Sequence, residues 1–214
     1  MKTPIRYYLL RHGETDYSRA GCYCGWEDAR LTETGLRHHE ALVEALADTN
    51  LAAIYTSDSY RCTHLAEALA RQRQAVVHRL PGLRELNFGV FDGKTYEEVA
   101  QQYPEALARW IEEPMYSAPP AGETLDVLCK RLLKALYAIK GQAQKISSHG
   151  SCPIPIAVVT HGGPIRVLLC HWLGIPLERQ WQLRIDLGSF SITEEYAEGV
   201  ICCSINGVPG SSVY

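Results

Sequence analysis

The sequence predicts an α/β protein, a three-layer α/β/α sandwich with a mostly parallel central sheet. Two observations carry that reading. Ile5 to Leu10 and Ile156 to Val159 are apolar runs too short for helices and suited to strands buried on both faces of a sheet. Between them, strand-like runs alternate with segments whose apolar residues recur at helical spacing, the order that builds parallel sheets. Each of the two runs ends in a histidine followed by glycine, at His12-Gly13 and His161-Gly162. Ligands of open parallel sheets bind beyond the carboxyl ends of strands, so both histidines fall where a site is expected.

The elements follow in order along a single domain spanning 1–214. Glu14 to Arg30 is polar, carries Gly21 and Gly25, and reads as a loop over the end of the first strand. Leu31-Thr32 opens a helix with Leu36, Val43 and Leu46 on one face, stopped by Asp48-Thr49-Asn50. His38 and His39 lie within that helix and read as packed or solvated side chains. Leu51 to Tyr55 is a second strand, and Thr56-Ser57-Asp58-Ser59 can cap the helix Tyr60 to Arg71, which places Arg61 in a first turn that favours an anion. Ala75 to Leu80 is a third strand. A helical, lid-like excursion over the active-site edge is expected at about 82–120, with a capping box at Thr95-Tyr96-Glu97-Glu98 and a helix from Pro104 that Pro114 ends. Thr124 caps a longer helix with an apolar stripe of Leu125, Leu128, Leu132, Leu136 and Ile139. Gln142 to Pro155 reads as an exposed loop. Pro164 begins a helix through Leu173, closed by Gly174 and Pro176. Gln182 to Ile192 and Val200 to Ile205 are expected as final strands, with a loose tail from Asn206.

Composition narrows the function. A chain of 214 residues buries a full core, and a net charge of −3 gives no pull toward nucleic acid or an anionic membrane surface. No apolar run is long enough to span a bilayer, and the N-terminus lacks the pattern of a secretory leader, so a cytoplasmic enzyme is expected. The eight cysteines lack the paired spacing of a zinc site and read as reduced thiols, Cys22 and Cys24 being separated by a single residue. Neither a metal nor a cofactor is expected. The sequence leaves a homodimer open.

Two arginines and two histidines at strand ends, with Glu85 soon after the third strand, suit a small phosphomonoester. The planar forks of Arg11 and Arg61 can each hold two phosphoryl oxygens. A neutral His12 imidazole can attack phosphorus, and His161 can donate to a phosphoryl oxygen. Glu85 can protonate the leaving alkoxide and then activate the water that cleaves phosphohistidine. Phosphate-cradling Gly-Lys-Ser/Thr loops, zinc-helix histidine pairs, Gly-x-Ser-x-Gly elbows and dinucleotide fingerprints are all missing from the sequence.

Leu10-Arg11-His12-Gly13-Glu14-Thr15, Leu31-Thr32-Glu33-Thr34-Gly35, Ser57-Asp58-Ser59-Tyr60-Arg61-Cys62-Thr63, Leu83-Arg84-Glu85-Leu86-Asn87-Phe88-Gly89, Gly122-Glu123-Thr124 and Thr160-His161-Gly162-Gly163 stand in one order. Together they resemble the signature of the histidine phosphatase superfamily, the phosphoglycerate-mutase-like fold. The resemblance covers about residues 5 to 195. It implies His12 as nucleophile, Arg11, Arg61 and His161 as the phosphate pocket, and Glu85 as proton donor. It also points to Ser18, Tyr23, Thr32 and Gly162 as substrate-binding positions. Ser18 stands where many members have an Asn, and Cys24 replaces a frequent polar residue. The segment Asn87 to Lys94 is sparsely basic, which favours a phosphatase over a phosphoglycerate mutase. Gly21-Cys22-Tyr23-Cys24-Gly25 and Arg184-Ile185-Asp186-Leu187-Gly188-Ser189 resemble stretches of α-ribazole phosphatases of cobalamin synthesis. Tyr23, Trp26 and Trp110 then offer apolar surface to a nucleoside-like leaving group. A broad-specificity phosphatase and a non-catalytic phosphate-binding scaffold are the alternatives.

Overall fold

The computed structural model describes residues 3–73, 75–146 and 152–210. One six-stranded sheet, in the order β3-β2-β4-β1-β5-β6, runs through it. The strands are β1 (Ile5–Arg11), β2 (Ala53–Thr56), β3 (Val77–Arg79), β4 (Ile154–Thr160), β5 (Phe190–Glu195) and β6 (Val200–Gly207). β1 to β4 are mutually parallel, and β5 and β6 extend the sheet antiparallel beside β1.

Alternation along β1 divides the core. Ile5, Tyr7 and Leu9 enter one apolar cluster, while Tyr8 and Leu10 enter the other. The first cluster is closed by α4 (Tyr96–Gln102), α5 (Pro104–Glu112), α6 (Leu125–Ile146) and α7 (Gly162–Leu173), the second by α2 (Glu33–Ala45) and α3 (Tyr60–Arg71). The result is three layers, as the sequence predicts.

The register places the site. β4 lies beside β1 with Arg11 opposite Thr160, so His12 and His161 leave the same sheet edge side by side. The chain then turns from β1 to α2 on one face and from β4 to α7 on the other. Opposite exits of adjacent parallel strands open a crevice between them.

Several boundaries differ from the sequence reading. The loop after β1 contains a short helix, α1 (Asp16–Arg19), built on a capping box in which the Thr15 hydroxyl accepts from Ser18 N–H and the Ser18 hydroxyl accepts from Thr15 N–H. α6 continues to Ile146, because Gln142 to Lys145 keep the helical register and Ala143 still packs inward. The serine-rich stretch around His149 lies outside the described residues. α7 begins at Gly162 with His161 in the cap position, two residues before Pro164. Residues 183–189 form no strand: Leu177–Gln182 is a 3-10 helix, and β5 starts at Phe190 after the left-handed Gly188. Among the described residues no helix is long and apolar enough to cross a membrane.

Candidate active site

Two glycine pairs shape the edge before any catalytic group is placed. Gly13 and Gly35 cross so closely that a Cβ on Gly13 would meet the Gly35 backbone and one on Gly35 the Glu14 carbonyl. Gly162 and Gly163 open α7 against two side chains. A Cβ on Gly162 would stand 3.1 Å from the Arg11 guanidinium carbon, and one on Gly163 would collide with the Glu85 carboxylate. Glycines at these positions let the histidine-bearing strand ends approach the groups that serve them.

His12 is buried, and its Nδ1 lies 2.7 Å from the Gly13 carbonyl oxygen. A carbonyl only accepts, so Nδ1 carries the proton and Nε2 keeps its lone pair. Burial, with the positive fields of Arg61 and Arg11, holds His12 well below the usual imidazole range, so the ring is neutral near pH 7. His161 is fully buried at an edge-on angle to His12, with ring centroids 5.1 Å apart. Its Nδ1 accepts from Arg61 Nε–H at 3.3 Å, which puts its own proton on Nε2, 3.0 Å from the Ser57 hydroxyl. Burial and Arg61 keep this ring neutral as well.

Arg11 donates from Nη1 to the Ile185 carbonyl at 2.6 Å, while its buried Nε has no partner. Glu85 accepts Leu86 N–H on Oε1 at 2.8 Å and Gly163 N–H on Oε2 at 3.1 Å, the latter a first-turn amide of α7. Arg131 of α6 steadies the segment below it, donating to the carbonyls of Gly82 (3.0 Å), Arg84 (2.7 Å) and Glu85 (2.6 Å) while paired with Glu123.

Beside these groups lies a cavity of about 250 Å³ lined by Arg11, Ser18, Tyr23, Glu85, Gly162 and Arg166, with an apolar wall of Phe88, Trp110, Leu125 and Leu128. Tyr23 anchors that wall, its ring 5.1 Å from Phe88 and 5.8 Å from Trp110 between centroids. Among the described residues no group of three or more His, Cys, Asp or Glu side chains is placed to hold a metal ion.

The chain matches the model of the histidine phosphatase superfamily (branch 1) over residues 7–206. It belongs to that superfamily. The histidine phosphatase is 29% identical over 188 residues to phosphoserine phosphatase 1 of Hydrogenobacter thermophilus, covering 88% of this chain and 85% of that protein. It is 26% identical over 187 residues to the adenosylcobalamin/alpha-ribazole phosphatase of Escherichia coli, covering 87% and 88%. In fold it is similar to the alpha-ribazole phosphatase of Shigella flexneri, with a TM-score of 0.86 at 24% identity over 98% of this chain and all of that one.

The candidate residues of the sequence reading do not all converge. Arg11, Glu85, Gly162, Ser18 and Tyr23 line the cavity of this histidine phosphatase; His12, His161 and Arg61 are not among its lining and pack against one another, His161 edge-on to His12 and bonded to Arg61. Arg61 was expected as an open fork. Instead it is fully buried and already donates to the Gly25 carbonyl, to the Glu27 carbonyl at 2.9 Å and to His161. One N–H remains on each terminal nitrogen. Ser18 lines the cavity while its hydroxyl closes the α1 cap. Thr32 lies elsewhere: it caps α2, bonds Glu14 at 2.6 Å, and borders a separate polar surface cavity with Arg19, Arg30 and Arg37. Trp26 does not line the site cavity. Its indole N–H holds the Glu85 carbonyl at 2.9 Å, and the Arg84 guanidinium stacks 4.9 Å above its ring.

Sequence reasoning missed Arg166, Phe88, Gln180 and Trp181, all in the cavity wall. Arg166 had a signal, since it stands one helical turn beyond Gly162 and so faces the same way. Trp181 and Gln180 had none, because the 3-10 turn that carries them, Leu177–Gln182, falls between the helix closed by Gly174 and Pro176 and the strand expected from Gln182, where no element was read. Ser57, the partner of the His161 Nε2–H, was read only as a capping residue.

Proposed function

We propose that this histidine phosphatase is a metal-independent phosphomonoesterase that works through phosphohistidine on His12, and that its substrate is α-ribazole 5′-phosphate. The observation that carries the chemistry is the Nδ1–H bond from His12 to the Gly13 carbonyl, which leaves a neutral Nε2 as nucleophile. The His12 Nε2 lone pair forms the N–P bond as the ester P–O bond breaks, and Glu85 delivers a proton to the departing alkoxide. Water then attacks phosphorus, its proton passes to the Glu85 carboxylate, and the N–P bond electrons return to Nε2. The unpartnered Nε–H of Arg11 and the remaining N–H groups of Arg61 supply the positive charge for the phosphoryl oxygens. His161, whose Nδ1 accepts from Arg61 Nε–H, orients that guanidinium beside the phosphoryl oxygens.

The substrate reading is supported by the wall of Tyr23, Phe88 and Trp110, which suits a planar aromatic leaving group. A second reading is favoured by Arg166. It adds a guanidinium to the cavity beside Arg11, which suits a leaving group bearing a carboxylate, such as that of phosphoserine. Phosphate release in the presence of EDTA, from α-ribazole phosphate, phosphoserine, 3-phosphoglycerate and an aryl phosphate, separates these readings. Preference for α-ribazole phosphate supports the first and preference for phosphoserine the second. Release from none of the four overturns both.

A further inference from the structure

The loop behind His12 leads to two further imidazoles. Gly13 accepts the His12 Nδ1–H on its carbonyl oxygen and, from the preceding peptide unit, donates its N–H to His39 Nε2 at 2.9 Å. His39 is buried in α2, and its Nδ1 lies 3.0 Å from Nδ1 of His64 on α3. These contacts admit one proton arrangement. Because His39 Nε2 accepts, the neutral ring carries its proton on Nδ1 and donates it to His64, whose proton therefore sits on Nε2. Burial together with His64 and His38 pushes the His39 pKa down to about 3, so this form persists across the neutral range.

We propose that His39, locked in one tautomer by His64, is a positioning residue for the nucleophile. It anchors the Gly13 N–H, and with it the placement of the residue whose carbonyl oxygen holds the His12 Nδ1–H and keeps Nε2 free for phosphorus. Gly13 N–H donates to His39 and His39 to His64, while the carbonyl held by His12 belongs to the next peptide unit, so the link to His12 is one of placement. Attack on phosphorus turns His12 into a cationic phosphoimidazole whose Nδ1–H leans harder on the Gly13 oxygen. A Gly13 residue anchored at its N–H keeps that oxygen in place to answer the charge. Without His39, Gly13 N–H is a buried donor with no partner, and the Gly13 residue is free to shift its carbonyl away from His12. Without His64, His39 can move its proton to Nε2, where it opposes Gly13 N–H instead of accepting from it.

The inference rests on the reading of His12 as nucleophile, and the experiment keeps the two apart. In the wild-type enzyme, rapid quench should trap phosphohistidine, and ¹⁵N shifts should report His12 as the Nδ1–H tautomer. His39→Ala should lower kcat about tenfold with KM little changed, and should mix the His12 tautomers. His39→Gln places a side-chain oxygen near the Nε2 position and should recover most of the loss. His64→Leu should show a smaller fall in kcat that His64→Gln reverses; this pair tests the inference even if His39→Ala does not fold. Folded variants with wild-type kcat and an unchanged His12 tautomer, or a loss in His39→Ala that His39→Gln does not recover, overturn the role of His39. Absence of phosphohistidine in the wild type overturns the reading of His12 instead.

Discussion

Gly163→Ala tests the placement of Glu85 without touching a charged group. A methyl at this position would stand 3.2 Å from the Glu85 carboxyl carbon and inside the contact radius of Oε1. The carboxylate must retreat by about 1 Å to restore ordinary contact, and the 3.1 Å bond from Gly163 N–H to Oε2 is lost as it does so. A bond of that kind contributes about 1 kcal/mol, and a 1 Å misplacement of a catalytic group lowers turnover by about 100-fold. The expected fall in kcat is therefore about 100-fold on an alkyl phosphate, whose leaving group needs the Glu85 proton. A nitrophenolate leaves without protonation. The first-turnover burst with p-nitrophenyl phosphate should thus stay near the wild-type rate, while the later turnovers, which need Glu85 to activate water, slow down. Rapid-quench kinetics on the two substrates measure both steps. An unchanged kcat on the alkyl phosphate, or equal slowing of the burst on both, would refute the role given to Glu85.

Three further outcomes are expected. Arg131→Met leaves the partly buried Glu123 carboxylate without its ion pair and frees the carbonyls of Gly82, Arg84 and Glu85, so urea titration should give a loss of about 3 kcal/mol; a loss below 1 kcal/mol would contradict the packing described. Acidification should destabilise the fold: His12, His39 and His161 are held below the ordinary imidazole value, so below about pH 6.5 the unfolded chain binds protons that the native one refuses. Each imidazole then removes up to about 1.4 kcal/mol per pH unit, and a urea midpoint that rises between pH 7 and pH 5 would run against this. Trp110→Ala removes part of the aromatic wall and should raise KM for α-ribazole phosphate several-fold while leaving KM for 3-phosphoglycerate nearly unchanged; equal effects on both would detach the wall from recognition.

The fold was legible where one physical rule decided each element. The double-sided burial of β1 and β4 reads directly from Ile5 to Leu10 and Ile156 to Val159, and the capping box at Thr95 marks the start of α4. The rule failed where two signals competed. Gln182 to Leu187 looks like a strand because its apolar residues alternate, yet it has no partner beside β1 until Gly188 turns the chain at Phe190. In the site, residue types at strand ends pointed to His12, His161, Arg11 and Glu85. What remained hidden were contacts between distant segments, such as Trp181 in the cavity wall and His39 behind Gly13. Such contacts join residues far apart in the chain, and local pattern does not report them. Arg61 shows the converse: its position beside His161 was readable, but not that backbone carbonyls of the 25–27 loop occupy part of its fork.

The central claim is that a neutral His12 Nε2 takes the phosphoryl group, and mass spectrometry of the quenched enzyme tests it most directly. Mixed with substrate and EDTA and quenched in base within the first turnover, the enzyme should gain one phosphoryl group on the peptide containing His12. The adduct should be labile in acid, stable in base, and absent from His12→Asn. Turnover by His12→Asn, or an adduct on any other residue, would contradict the account.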